Sequence, residues 1–112
     1  MRTVLIELDK PRQLRLEANA IADAEEKLGM GFGKIMKAEL SISLVRVMLW
    51  AGLKWQDRAL TLEKVGNLIN NFLRNGGDIE YLGQKISEAI IASGLFKVDE
   101  DSPNLETEIE EV

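Results

Sequence analysis

The chain has 112 residues, of which 46% are apolar, a length that suits one domain with a modest hydrophobic core. It contains neither cysteine nor histidine, which excludes disulfides, thiol nucleophiles, the commonest metal ligand and the commonest general base. The charge is uneven, with fourteen basic against twelve acidic side chains in residues 1–98 and seven acidic side chains in residues 99–112. The body therefore lacks the basic excess that nucleic-acid binding requires.

A β-hairpin is predicted at the N-terminus, where two short segments alternate apolar and polar residues. Ile6 belongs to the first segment, Leu14 and Leu16 belong to the second, and residues 9–12 connect them through a proline. This period and connection indicate a hairpin over residues 3–17. Because an isolated hairpin is only marginally stable in water, we expect it to pack against helices.

About four helices are predicted to follow, each marked by apolar residues three or four positions apart. Gly29 and Gly94 suit the left-handed position that ends the first and the last of them. Between the first two, Phe32 lies in a glycine-rich loop, and residues 34–40 suit a helical turn. The predicted helices and their N-caps are residues 20–28 after Asn19, 42–54 after Ser41 or Ser43, 62–74 after Thr61, and 79–93 after Asp78.

The glycine-rich loop does not indicate phosphate binding, because it follows a helix and lacks a Gly-Lys-Ser/Thr ending. Phe32 within it is expected either to fill a gap in the core or to be an exposed contact. Glu25 and Glu26 are neighbours on one helical face and lack the opposed geometry of an acid–base pair. We therefore predict a protein that is not an enzyme and has no catalytic, cofactor-binding or metal-binding residues.

Together these elements predict a mostly helical α+β fold, with one domain over residues 1–98 and an acidic tail. The tail, residues 99–112, has one proline, seven acids and few large apolar residues, so we expect it to be disordered. Three roles are possible for this tail: it keeps the protein soluble, it shields a basic or apolar groove, or it serves as a docking peptide. Neither a secretory signal nor a membrane-spanning segment is indicated, so a cytoplasmic location is expected.

The segment 42–55 is unusually apolar, since only Arg46 and Lys54 in it are charged. On a helical wheel these two cations share one narrow stripe with Trp50. Trp50 is expected either to be covered by the hairpin as part of the core or to anchor a partner, because Trp and Arg dominate binding hot spots. The predicted partner-binding residues are Arg46, Trp50, Lys54 and Phe32.

Three stretches of the sequence resemble a known family: LRLEANAIADAEEKLGMGFGKIM, SLVRVMLWAGLKW and LTLEKVGNLINNFL. Over about residues 13–73 they are similar to the small tail assembly chaperones of long-tailed phages, prophages and gene transfer agents. The likeness consists of structural residues, such as LWAGL at residues 49–53 before a Thr-led helix, and it includes no catalytic motif.

The resemblance implies a role in virion assembly. Such proteins bind the long, apolar, helical tape measure protein and keep it soluble until tail tube subunits polymerise around it. They often self-associate and are absent from the finished particle. The expected partners are thus the tape measure protein and a second copy, with no nucleic acid and no membrane. The alternatives are a structural virion subunit, such as a tail tube or tail completion protein, and a small nucleic-acid-binding regulator.

Overall fold

The hairpin and the helices follow one another in the predicted order. The structure, a computed structural model, describes residues 2–96, so the disorder predicted for residues 99–112 lies outside the described residues. Within residues 2–96 the chain forms a two-stranded antiparallel sheet and five helices, which confirms the predicted α+β class. The elements are β1 (Val4–Glu7), β2 (Pro11–Leu14), α1 (Ala18–Leu28), α2 (Phe32–Lys37), α3 (Ile42–Leu53), α4 (Leu62–Arg74) and α5 (Ile79–Ser93).

The hairpin is tighter than the sequence pattern predicts. Glu7 lies opposite Pro11, so residues 8–10 form the connection and the proline opens β2. A proline is tolerated there because the first residue of a strand can do without a backbone donor. Leu16, which was predicted within the second strand, lies beyond β2 and is fully buried.

Arg12 is a buried cation in β2, with 6% of its surface exposed. Its Nε and Nη2 donate to the two carboxylate oxygens of Asp9 at 2.7 and 2.9 Å, and its Nη1 lies 3.5 Å from Asp57 Oδ2. A buried charge needs such partners, because leaving it unpaired costs several kcal/mol. The hydrogen bonds between Arg12 and Asp9 lower the pKa of the carboxyl and raise the pKa of the guanidinium.

Local sequence determines three of the helix starts. The side chains of Ser41, Thr61 and Asp78 accept hydrogen bonds from backbone N–H groups in the first turns of α3, α4 and α5, as predicted. At the other ends, Gly29 and Gly94 adopt φ angles of 69° and 72° and terminate α1 and α5, which confirms both predicted left-handed positions.

The other two helix starts differ from the prediction. The predicted cap Asn19 is wrong: α1 begins at Ala18, and its N-cap is Glu17, whose side chain makes no capping hydrogen bond. α2 takes up part of the predicted loop and begins at Phe32, whose N–H donates to Glu25 Oε2 of α1 at 2.8 Å. A side chain from another helix thereby satisfies a donor that the glycine-rich sequence leaves open.

α3 lies at the centre of the core. It packs against α1, α4, α5 and β2, and seven of its twelve residues are buried, so its apolar excess belongs mainly to the core. Gly52 lets the helix approach the chain after β2 closely, because its carbonyl accepts from the Arg15 N–H at 2.9 Å. Two sides of α3 remain partly accessible, one at Leu44 and the other at Trp50.

Candidate functional site

Trp50 lies on the side of α3 that faces α1 and is partly buried against the core. The Nζ of Lys54 is 4.1 Å from the centroid of the Trp50 ring, and the Nζ of Lys27 in α1 is 5.7 Å from it. Lys54 also forms an ion pair with Asp23 of α1. Since cations at these distances are attracted to the face of an indole, the ring interacts with charged side chains from α1 and from the C-cap of α3.

Trp55 completes a cleft next to Trp50. Its Nε1–H donates to the carbonyl oxygen of Gln13 in β2 at 3.0 Å, and the Arg15 guanidinium lies 5.1 Å from its ring centroid. The two rings line a space of about 590 Å³, which we name the tryptophan cleft. Its charged lining has both signs and consists of Arg15, Glu17, Asp23, Lys54 and Arg58.

Arg46 does not join Trp50 and Lys54 in this cleft, although all three share one stripe of the predicted helix. It packs toward α4, where its Cδ lies 3.5 Å from the position that a Cβ would take at Gly66. Its Nε is buried and has no hydrogen-bond partner among residues 2–96. Of the three residues on the predicted stripe, Arg46 thus faces α4, and Trp50 and Lys54 face α1.

Phe32 also lies apart from the tryptophan cleft. It is partly buried and stacks on Phe96, with ring centroids 3.9 Å apart and an interplanar angle of 7°. Since Phe96 follows α5, this stack joins the end of α5 to the start of α2. Of the four predicted residues, the structure therefore brings only Trp50 and Lys54 together, and their role in partner binding stays a prediction.

A second surface, which the sequence did not predict, lies between α2, α3 and α5. It is an apolar groove of about 140 Å³ without a charged side chain in its lining. Met36 stands on its rim and is 50% exposed, and Leu40 packs over Gly83, 2.9 Å from the place of an added Cβ. The residues lining this apolar groove are Ile35, Met36, Ala38, Leu40, Leu44, Val45, Met48, Gly83, Ile86, Ser87 and Ile90.

Sequence reasoning missed the apolar groove because it forms only where residues 83–90 of α5 pack beside residues 35–48 of α2, α3 and their connection. A signal for two of its walls was present: Leu44 and Met48 share one side of the predicted α3, and Ile86 and Ile90 share the apolar stripe of the last helix. The third wall is α2, whose helical start depends on Glu25 of another helix and could not be predicted locally.

The charged side chains on the helices around the apolar groove lie outside its lining. Lys34 and Lys37 are both exposed, α2 contains no acid, and Glu39 follows in the connection to α3. On α5, Lys85 Nζ is 3.3 Å from Glu88 Oε1, so this pair adds little net charge. α2, which forms one wall of the groove, therefore has a positive net charge.

Both surfaces are equipped for binding. Their side chains offer apolar, cation–π and hydrogen-bonding contacts, the kinds of contact that ligand and partner sites use. Among the described residues, no three acidic, histidine or cysteine side chains are grouped closely enough to hold a metal ion. Asp9, whose pKa is lowered chiefly by the hydrogen bond from Arg12, lies in the hairpin connection and lines neither surface.

Within residues 2–96, the helices are all too short or too polar to cross a membrane. Comparisons of the chain with protein-family models, with curated proteins and with solved structures gave no match.

Proposed function

We propose that this protein is a non-enzymatic tail assembly chaperone of a phage, prophage or gene transfer agent. It binds the apolar, helical tape measure protein in the host cytoplasm and keeps it soluble until the tail tube forms. It is absent from the finished virion. The resemblance over residues 13–73 supports the family, and the observation that carries the client-binding role is the apolar groove.

The apolar groove suits one side of an amphipathic helix. Helices bind in such grooves through side chains spaced three, four and seven residues apart. The uncharged lining means that no charge loses its water when a client covers the groove. Met36 and Met48 can adapt to different client side chains, because methionine is flexible and polarizable. These properties favour a client whose helices repeat similar apolar faces.

The tryptophan cleft is a second contact surface in this proposal. Trp50 and Lys54 keep the partner-binding role predicted for them, since a tryptophan beside cations is typical of interface anchors. Arg46 and Phe32 lie outside the tryptophan cleft. A contact that either of them makes with a partner is therefore separate from the cleft. A homo-oligomer, as the family resemblance implies, belongs to the same proposal.

Co-expression with the tape measure protein of the same genome tests the proposal. The wild-type chain is expected to move the tape measure protein from the insoluble to the soluble fraction. Met36→Glu should abolish most of this effect, because a client helix would have to bury the new carboxylate. Leu5→Glu is the matched control: Leu5 is 48% exposed, as Met36 is 50% exposed, but it lies in β1 outside the groove.

Several outcomes would contradict parts of the proposal. If the wild-type chain leaves the tape measure protein insoluble, the chaperone role is wrong. Equal losses with Met36→Glu and Leu5→Glu, at unchanged thermal unfolding, would mean that the groove has no special role. Trp50→Ala in the same assay tests the tryptophan cleft. Mass spectrometry of purified particles tests the alternative, since stoichiometric presence would identify a structural virion subunit.

A further inference from the structure

The acidic tail has an apolar side of its own. Leu105, Ile109 and Val112 are spaced four and three residues apart, a spacing that puts them on one side of a helix. Ser102 and Pro103 before them are favoured as N-cap and first helical residue. A segment with too few apolar residues to fold alone can still fold against a surface that receives them.

The described part of the chain ends beside the apolar groove. Phe96 stacks on Phe32 at the start of α2, and Met36 on the groove rim lies one helical turn further along α2. Leu105 is nine residues beyond Phe96 and can lie up to about 30 Å from it. Because Phe96 already lies against α2, which forms one wall of the groove, this length is enough for the tail to reach the groove.

Charge and size also fit the tail to the groove. Lys34 and Lys37 are exposed on α2, which forms one wall of the groove, although neither of them lines it, and acidic residues surround the apolar positions of the tail. Opposite charges around an apolar contact favour one orientation of the segment. The groove volume of about 140 Å³ compares with roughly 150 Å³ for a cavity that accepts benzene, which is room for an aliphatic side chain.

We propose that the chain's own tail occupies the apolar groove in the free protein, with its apolar side, Leu105, Ile109 and Val112, laid along the groove between α2, α3 and α5. The tail keeps the groove covered, and a partner has to displace it to bind. The docking is intramolecular and does not depend on the client proposed above. Only the role of the tail in controlling client access rests on the proposed function.

Methyl NMR of the full chain with ¹³C-labelled methionine tests the docking. Met36 and Met48 line the groove, whereas Met30 lies in the connection between α1 and α2 and does not. The double substitution Leu105→Ser/Ile109→Ser is expected to shift the methyl resonances of Met36 and Met48 and to leave that of Met30 in place. Unchanged resonances of both groove methionines would overturn the docking and leave the groove open to a partner.

The matched control substitutes two neutral polar residues of the same segment. Asn104→Ser/Thr107→Ser changes the other sides of the tail helix, so it should shift neither groove methionine. Equal shifts from both double variants would overturn the assignment of the apolar side as the docking face.

A spin label distinguishes the chain's own tail from the tail of a second copy. Because the chain has no cysteine, Glu110→Cys provides a single attachment site. The Met36 and Met48 signals should lose most of their intensity when label and ¹³C are on the same chain, and keep it when they are on separate, mixed chains. Loss of intensity between chains would overturn the intramolecular docking and identify a second copy as the occupant. The sample contains no client, so this result is independent of the proposed function.

Discussion

At the scale of single residues, a buried cation joins the hairpin to the helices. Arg12 in β2 binds Asp9 from the hairpin connection and reaches Asp57, which follows α3. Gln56 beside it accepts a hydrogen bond from the Gln13 N–H at 3.1 Å. The sequence pattern placed Arg12 in a turn, where a solvated side chain is expected. Its burial depends on two carboxylates that lie 3 and 45 positions away in the chain.

Asp9→Asn is expected to lower the free energy of unfolding by about 1 kcal/mol at pH 7, since the carboxylate is one-third exposed and partly screened. The folded-state pKa of Asp9 is lowered, chiefly by the hydrogen bond from Arg12. The stabilisation is therefore present above the ordinary carboxyl pKa and disappears as the pH falls through the lowered value. Urea unfolding of both chains from pH 7 to pH 3 measures the difference.

Glu26→Gln, an exposed substitution on α1, is the control for that comparison. It should change the free energy of unfolding little at any of these pH values. A difference between wild type and Asp9→Asn that stays constant down to pH 3 would show that the ion pair with Arg12 is not its source.

At the scale of elements, α3 and α4 each contain a glycine, Gly52 in the last turn of α3 and Gly66 in the interior of α4, but for different reasons. A Cβ at Gly52 would lie 2.5 Å from Leu14 Cδ1 and 3.1 Å from Leu16 Cδ2, and both leucines are fully buried. A Cβ at Gly66 would meet only Arg46 Cδ at 3.5 Å, an ordinary contact. The first glycine is required by packing, whereas the second is not.

Substituting each glycine by alanine should therefore have opposite effects. Gly66→Ala is expected to stabilise the protein by up to about 1 kcal/mol, because alanine is the better helix former. Gly52→Ala gains the same propensity but forces buried leucines to move, for a net loss of about 1–3 kcal/mol. Urea midpoints of the two variants measure this. A Gly52→Ala chain at least as stable as wild type would contradict the tight contact between α3 and the chain after β2.

At the scale of the whole molecule, helices on two sides hold the hairpin. The Tyr81 hydroxyl of α5 accepts a hydrogen bond from the Glu7 N–H at 2.9 Å, and Trp55 beyond α3 donates to the Gln13 carbonyl. Tyr81 also stacks against Phe72 of α4, with ring centroids 5.9 Å apart. A two-stranded hairpin is marginal alone, so its stability comes from these helices.

We therefore expect the hairpin and the helices to unfold as one cooperative unit, in keeping with the single domain predicted over residues 1–98. In a Trp50→Phe chain, the fluorescence of Trp55 reports on the hairpin contact, and far-UV circular dichroism reports on the helices. The two thermal transitions should coincide, which is the test of two-state unfolding. A fluorescence transition at clearly lower temperature would mean that the hairpin separates from the helices before they unfold.

Much of the fold follows from local chemistry. Apolar spacing indicated α1, α3, α4 and α5 because it directs one face of each helix to the core. The caps Ser41, Thr61 and Asp78 were predictable because each side chain bonds to a backbone N–H in its own first turn. The absence of histidine and cysteine likewise limits the available chemistry without reference to a structure.

The candidate surfaces depend on which distant segments pack together. A helical wheel places Arg46, Trp50 and Lys54 on one stripe of α3, but it gives no information on the neighbouring helices. In the structure Arg46 packs toward α4, whereas Trp50 and Lys54 contact side chains of α1. By itself, the sequence determined the fold class, most helix ends and the apolar character of α3, because those depend on neighbours within one or two turns. Only the tertiary structure decided the start of α2, the pairing of Arg12 with Asp57 and the apolar groove, because each requires a contact between different elements of the fold rather than within one of them.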